Sequence, residues 1–220
     1  MFDIKLAKYF ERKSEHLKEK YCRKLLYRLV QKYDLEEIVN IPNENKHYNP
    51  YQGTTMPLIK TLAESGVLDR EDHILDVGCG TGIFLIALSE LGYRNLSGIE
   101  VNQNSYALCQ TNLKKYAEKT KTTKISILCC DAIETPISDD VTCFYLANPF
   151  YDKETYTKWL NNLSTSLERN PRPIKLLIYF PTVASTDALR ACASMKFSTS
   201  IICKQQVCWR CMRIDVYTNN

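Results

Sequence analysis

The stretch ILDVGCGTGIF, residues Ile74 to Phe84, decides the fold. An apolar run closes on Asp76, glycines follow at 78, 80 and 82, and a second apolar run opens at Ile83. That punctuation predicts a strand, a tight turn and a helix. Glycine permits the sharp turn and lets a ligand come close to the backbone. The helix behind it offers unpaired N–H groups in its first turn, which suit the polar atoms of a ligand.

Downstream, short apolar runs alternate with helical stretches. Strands are predicted at 73–77, 95–100, 125–129, 142–147 and 174–180, with helices at 82–91, 103–118, 153–167 and 184–193. This rhythm indicates a parallel sheet covered on both faces. It breaks at the end, where 197–203 and 206–217 read as two strands joined by a turn at Lys204–Gln205. The expected architecture is an α/β, doubly wound, seven-stranded sheet with a C-terminal antiparallel hairpin. Upstream, Leu17, Tyr21, Leu25, Leu29 and Tyr33 recur every four residues, so 3–38 reads as one or two amphipathic helices. The Asn- and Pro-rich loop at 40–53 follows, then a helix from Thr55 to Ser65. The chain therefore divides into an N-terminal helical extension with a lid loop, 1–53, and a ligand-binding domain, 54–220.

Three carboxylates fall at three consecutive strand ends: Asp76, Glu100 and Asp131. Open α/β sheets bind ligands at that edge. Glu100 lies 24 residues after Asp76, suited to accept from both hydroxyls of a ribose, with Gly98 allowing close packing beneath it. Asp131, with the backbone N–H beside it, suits the amino group and ring nitrogen of adenine. For Asp131 the structural alternative is a turn or helix cap.

In DVGCGTG, IE and CDA the chain resembles the first three motifs of class I S-adenosylmethionine-dependent methyltransferases, in order and at their usual intervals, over roughly 50–217. The resemblance implies S-adenosylmethionine as cofactor. Asp76 with Gly78, Cys79, Gly80 and Gly82 would lie near its methionine part, Glu100 and Val101 at the ribose, and Asp131 with Ala132 at the adenine. A nicotinamide dinucleotide is the alternative, but its G-x-G-x-x-G fingerprint wants glycine at 83, where Ile83 stands. The terminal hairpin also favours methyl transfer.

The fourth predicted strand ends in FYLANPFY. Asn148, Pro149, Phe150 and Tyr151 resemble the N-P-P-Y signature of methyltransferases acting on planar amino or amide nitrogens, with Phe150 replacing the second proline. The resemblance implies that the Asn148 oxygen and a backbone carbonyl accept from the target N–H, while Phe150 or Tyr151 stacks on its plane. Asn148 would also border the cofactor. The bland alternative is a Pro-ended strand followed by two core aromatics. Upstream, HYNPYQGTT loosely resembles the segment that closes over the methionine end in histone-lysine methyltransferases lacking a SET domain. Tyr48, Tyr51 and Thr54 would carry that role, with Tyr51 on the cofactor. The loop, the NPF and the later IYFP together also resemble bacterial methyltransferases with an NPF motif after strand four.

A neutral planar nitrogen needs lone-pair alignment more than a strong base, and no obvious His or Lys base stands at the site. An oxygen acceptor would usually want a base or a metal, and His47 and Tyr48 qualify only if their loop folds over. Composition is that of a globular protein, 45% hydrophobic and 25% charged. No run reaches the roughly 18 apolar residues of a membrane span, and charges interrupt the first residues where a signal peptide would be apolar. A cytoplasmic protein without membrane contact is expected. The ten cysteines read as reduced thiols. Cys203, Cys208 and Cys211 raise zinc, but residues three apart in a strand face opposite ways, and no metal is expected. Residues 1–32 carry ten Lys/Arg against four Asp/Glu in a chain of net charge +4. That basic arm leaves nucleic acid open as a partner, although the solvated face of an amphipathic helix is the favoured explanation. Acceptor class (RNA, peptide or small metabolite, N- or O-linked) and a monomeric or dimeric state stay open, and a non-catalytic scaffold of the same fold is the rival from another class.

Overall fold

Strands whose residues are all apolar must be covered on both faces, and the middle of this sheet meets that condition. The structure, a computed structural model, describes residues 28–36, 48–49, 53–120, 125–203 and 212–219. Its strands are β1 (His73–Val77), β2 (Asn95–Glu100), β3 (Ser126–Cys129), β4 (Cys143–Leu146), β5 (Lys175–Tyr179), β6 (Lys196–Ile202) and β7 (Arg213–Thr218). The helices are α1 (28–33), α2 (Met56–Glu64), α3 (Ile83–Glu90), α4 (Gln103–Thr120), α5 (Lys153–Arg169) and α6 (Val183–Ala191).

The seven strands lie in the order β3-β2-β1-β4-β5-β7-β6. β3 through β5 run parallel, while β7 is antiparallel to both β5 and β6. The expected doubly wound sheet with its terminal hairpin is thus present. Chain direction across the sheet reverses between β1 and β4, which opens a crevice at their carboxyl ends. One face packs on Leu58, Ile59 and Leu62 of α2 and the apolar run Leu85–Leu88 of α3. The other is covered by Trp159, Leu160 and Leu163 of α5 and Leu189 of α6. Each such side chain contributes roughly 1.5–3 kcal/mol by leaving water.

Local chemistry sets where elements start and stop. Asp152 caps α5 by accepting from Thr155 N–H at 2.8 Å, and Thr182 with Ser185 forms a capping box on α6. The N-terminal helix, expected to reach residue 38, stops at residue 33 because Asp34 takes φ +55°, a left-handed conformation that Asp tolerates. Beyond it, buried Asn112 of α4 accepts from Glu36 N–H at 2.7 Å and donates to Glu36 O (2.9 Å) and Thr81 O (3.1 Å). Residues 28–36 are thereby fastened to the glycine turn. The rest of the predicted basic helix, 1–27, and the hairpin turn at 204–211 lie outside the described residues. No helix among the described residues is long and apolar enough to cross a membrane.

Candidate active site

β1 delivers the glycine turn to the crevice, and the turn is stitched to β2. Gly78 N–H and Cys79 N–H both donate to Ile99 O, at 2.8 and 2.9 Å. Gly98 lies under this junction, where a Cβ would come within 2.8 Å of the Cys79 sulfur. At the turn's exit Gly82 has φ +76°, and a Cβ there would meet the Cys109 sulfur at 2.6 Å. Glycine is required at both positions by packing within the chain, before any ligand is considered.

The three predicted carboxylates stand at adjacent strand tips in three different states. Glu100, 8% exposed, accepts from Gly80 N–H on Oε2 and from Asn102 N–H on Oε1, both at 2.8 Å. Burial pushes its carboxyl up, against the pull of these backbone N–H groups. The glycine turn is therefore tied to β2 through the acid itself, and each oxygen keeps a second lone pair for a ribose hydroxyl. Asp76, 3% exposed, takes no hydrogen bond from any described residue. Burial, and then the charge of Glu100, hold its carboxyl well above the usual carboxylate range. An unpartnered buried acceptor is costly unless a ligand completes it, so Asp76 fits a ligand ammonium beside the glycine turn. Asp131 accepts on Oδ1 from both the Tyr48 hydroxyl and Ile133 N–H (3.0 Å). Its Oδ2 and the neighbouring Ala132 N–H have no protein partner among the described residues. Val101, following Glu100, is partly exposed at the same edge.

The residues after β4 face the glycine turn across the crevice. Pro149 Cβ lies 3.2 Å from where a Cβ on Gly78 would stand. Asn148 has φ +52°, and its Oδ1 accepts from the Tyr156 hydroxyl at 3.2 Å. Residues 48–49 then cover the loop: Tyr48 forms an antiparallel bridge with Phe150, and Asn49 N–H donates to Pro149 O at 3.0 Å. The Asn49 amide donates to Asn148 O (3.0 Å) and Phe150 O (2.8 Å).

Two expected roles are corrected by this geometry. Phe150 is 1% exposed and packed against Tyr156 and Trp159, so it belongs to the core and presents no ring to an acceptor. Tyr151, 69% exposed, is the aromatic on the outer side. Tyr48 sits at the adenine-end carboxylate rather than at the methionine end, where the short resemblance placed it. Thr54 is buried beneath the sheet edge, hydrogen-bonded to the Tyr145 hydroxyl at 2.7 Å. Tyr51 and His47 lie outside the described residues. His73 is at the opposite end of β1, held by Asp140 and Ser97. Cys203 is buried near Thr61, and Cys208 and Cys211 lie outside the described residues. Asn49 and Tyr156 went unnoticed in the sequence; the pair of N-P dipeptides, 49–50 and 148–149, was the available turn signal.

Comparison with known proteins finds methyltransferases among the chain's likenesses. Residues 74–170 match a family model described as a methyltransferase domain. Over 80 residues the chain is 31% identical to the sphingolipid C9-methyltransferase of Candida albicans, a match spanning 36% of this chain and 15% of that protein. The crystal structure of TrmN from Thermus thermophilus superposes with TM-score 0.57 at 17% identity, over 76% of this chain and 49% of TrmN. Magnesium protoporphyrin IX methyltransferase from Synechocystis, solved with bound SAH, gives TM-score 0.56 at 11% identity over 94% of this chain and 100% of its own. These two likenesses show the fold. The chain spans about half of TrmN and a small part of the curated relative.

Proposed function

We propose that this chain, whose residues 74–170 match a methyltransferase-domain model and whose fold is Rossmann-like, is an S-adenosylmethionine-dependent enzyme. It binds S-adenosylmethionine across the tips of β1, β2 and β3 and methylates an acceptor seated over β4. The observation that carries this is Asp76: a buried acid with no donor among the described residues, set between a glycine turn and a second carboxylate. A cofactor bearing an ammonium group supplies the missing partner, and its ribose hydroxyls fall to Glu100.

S-adenosylmethionine brings a methyl group on a good leaving group, so this chain has mainly to align and desolvate. Positioning of that kind contributes about 7–11 kcal/mol. Asp76 and the glycine turn hold the amino-acid end, Glu100 the ribose, and Asp131 with Ala132 the base. Asn148 and Pro149, pressed against Gly78, set the acceptor's position, and exposed Tyr151 offers a flat apolar surface beside it.

The acceptor atom is open to two assignments of opposite hydrogen-bond polarity. A planar amino or amide nitrogen would donate to Asn148 Oδ1 and Pro149 O, whose second lone pairs remain beside Tyr156 and Asn49. An oxygen acceptor is favoured by one observation: every oxygen of residues 148–150 already accepts a hydrogen bond, while Asn148 Nδ2 donates to no described residue. A free donor suits a substrate oxygen.

The test uses methyl-labelled S-adenosylmethionine with fractionated cell extract and purified protein. Glu100→Ala should weaken SAH binding by about tenfold to a hundredfold, the loss of charge-assisted hydrogen bonds. Asn148→Ala should leave that binding intact and abolish label transfer. Asn148→Asp keeps the acceptor oxygen and removes the donor; retained transfer identifies a nitrogen substrate, lost transfer an oxygen one. Equal loss of SAH binding in the two alanine variants would refute the separation of cofactor and acceptor sites.

A further inference from the structure

Tyr48 lies far from Asp131 in sequence, yet its hydroxyl is hydrogen-bonded to that carboxylate. A lone carboxylate at a strand tip rotates about its Cβ–Cγ bond and presents either oxygen. Here both protein donors, the Tyr48 hydroxyl and Ile133 N–H, converge on one oxygen, Oδ1. This fixes the plane of the group and turns Oδ2 outward. The next backbone donor in the chain, Ala132 N–H, is also without a protein partner among the described residues. Acceptor and donor thus come from consecutive residues in a fixed order, the complement of the amino group and ring nitrogen of adenine. Hypoxanthine reverses that order, with a carbonyl where the amino group was and N–H where the lone pair was.

The position of Tyr48 is itself secured. Its backbone bridges Phe150, its ring packs 5.9 Å from the Phe150 ring, and the next residue, Asn49, donates to three carbonyls of the β4 loop. Burial and the adjacent Asp131 push the phenol's titration far up, so it stays a donor at every physiological pH.

The geometry points to Tyr48 as a specificity-determining positioning residue: its hydroxyl orients Asp131 so that the site reads the 6-amino purine of the cofactor and rejects the 6-oxo purine. This rests on the S-adenosylmethionine assignment above. It also means that two residues of the upstream loop tie cofactor recognition to the acceptor loop, since the strand bridge that seats Tyr48 also clamps residues 148–150.

Calorimetric titration of the full chain with SAH and with its deaminated counterpart, S-inosylhomocysteine, tests this. The readout is the ratio of the two dissociation constants, which a merely structural role for Tyr48 would not move. Wild type should favour SAH strongly. Tyr48→Phe keeps the ring and removes the hydroxyl, and should lower the ratio by about tenfold, as expected when a charge-assisted hydrogen bond is no longer held in line. Asp131→Ala should lower it further, and adding Tyr48→Phe to Asp131→Ala should change nothing more. An unchanged ratio in Tyr48→Phe, equal weakening of both ligands, or an undiminished ratio in Asp131→Ala would each overturn the role. Wild-type protein that binds neither ligand would overturn the cofactor assignment itself.

Discussion

Substituting Gly82 with alanine tests the cofactor turn at its tightest point. Gly82 has φ +76°, and a Cβ there lies 2.6 Å from the sulfur of Cys109, a fully buried residue of α4. Placing an L-residue in the left-handed region costs about 1–2 kcal/mol. Driving a methyl into a packed interior adds about 1–3 kcal/mol. Together, Gly82→Ala should lose about 2–5 kcal/mol, which for a chain of this size lowers Tm by roughly 4–20 °C. The two contributions separate in a double-mutant cycle. Cys109→Ala removes the sulfur but leaves Cys109 Cβ, which at 3.9 Å is an ordinary contact. In that background Gly82→Ala should cost only the backbone part, a coupling of about 1–3 kcal/mol. Urea unfolding of the four proteins at constant slope measures it. An identical loss in both backgrounds would show that the Gly82–Cys109 approach carries none of the penalty, and the packing argument would fall.

Two further outcomes follow from the site. Asp76 titrates well above its ordinary 3.8 when folded, so the unfolded chain sheds this proton first. Native stability should fall as pH rises from that ordinary value through the folded one. Asp76→Asn should flatten this fall, leaving the ligand-free protein more stable than wild type at about pH 8 while weakening SAH binding; matching pH–stability slopes in the two proteins would refute it. Asn112→Ala removes three buried hydrogen bonds that join Glu36 to the glycine turn, and should cost about 2–3 kcal/mol. Residues 28–36 should then become protease-sensitive well below the unfolding midpoint; unchanged cleavage would show that the segment is held without Asn112, by the apolar contacts of Leu29, Val30 and Leu35 together with the bonds of Lys32 and Tyr33 to Glu90.

What could be read from the sequence divides along a physical line. Periodicity reports which side chains are buried, so the short, mostly apolar strands β1, β4 and β5 are legible to within one residue at either end, as are β2 and the order of the helices. The glycine turn was equally plain, because few residue types tolerate its backbone. Periodicity is silent on contacts made by single polar residues distant in the chain. Asn49, whose amide and N–H hold three carbonyls of residues 148–150, looks like any loop asparagine. The motif leaves open whether Phe150 or Tyr151 stacks on an acceptor, because it cannot report that a strand-end aromatic is drawn inward when Trp159 and Tyr156 offer it a pocket. The end of the first helix was missed because one left-handed Asp34 outweighs a continuing apolar pattern.

The three strand-tip carboxylates have one consequence beyond recognition. Glu100 has both oxygens engaged by backbone N–H groups, and Asp131 has one oxygen held by two donors, so both are stable before any ligand arrives. Of the three, Asp76 is the one buried without a donor among the described residues, and its neighbour Glu100 repels its charged form. An arriving ammonium group relieves desolvation and repulsion together, and the carboxyl then gives up its proton. Cofactor binding should therefore release a proton and tighten as pH rises toward the ligand-free titration of Asp76. Titrating SAH in buffers of differing ionisation enthalpy would register that proton. At a ligand concentration of 100 Kd the folded state gains about 2.7 kcal/mol, and Asp76→Asn should abolish the proton release while leaving this dependence on saturation intact. Release of the same number of protons by Asp76→Asn and wild type would place the linked ionisation elsewhere in the chain.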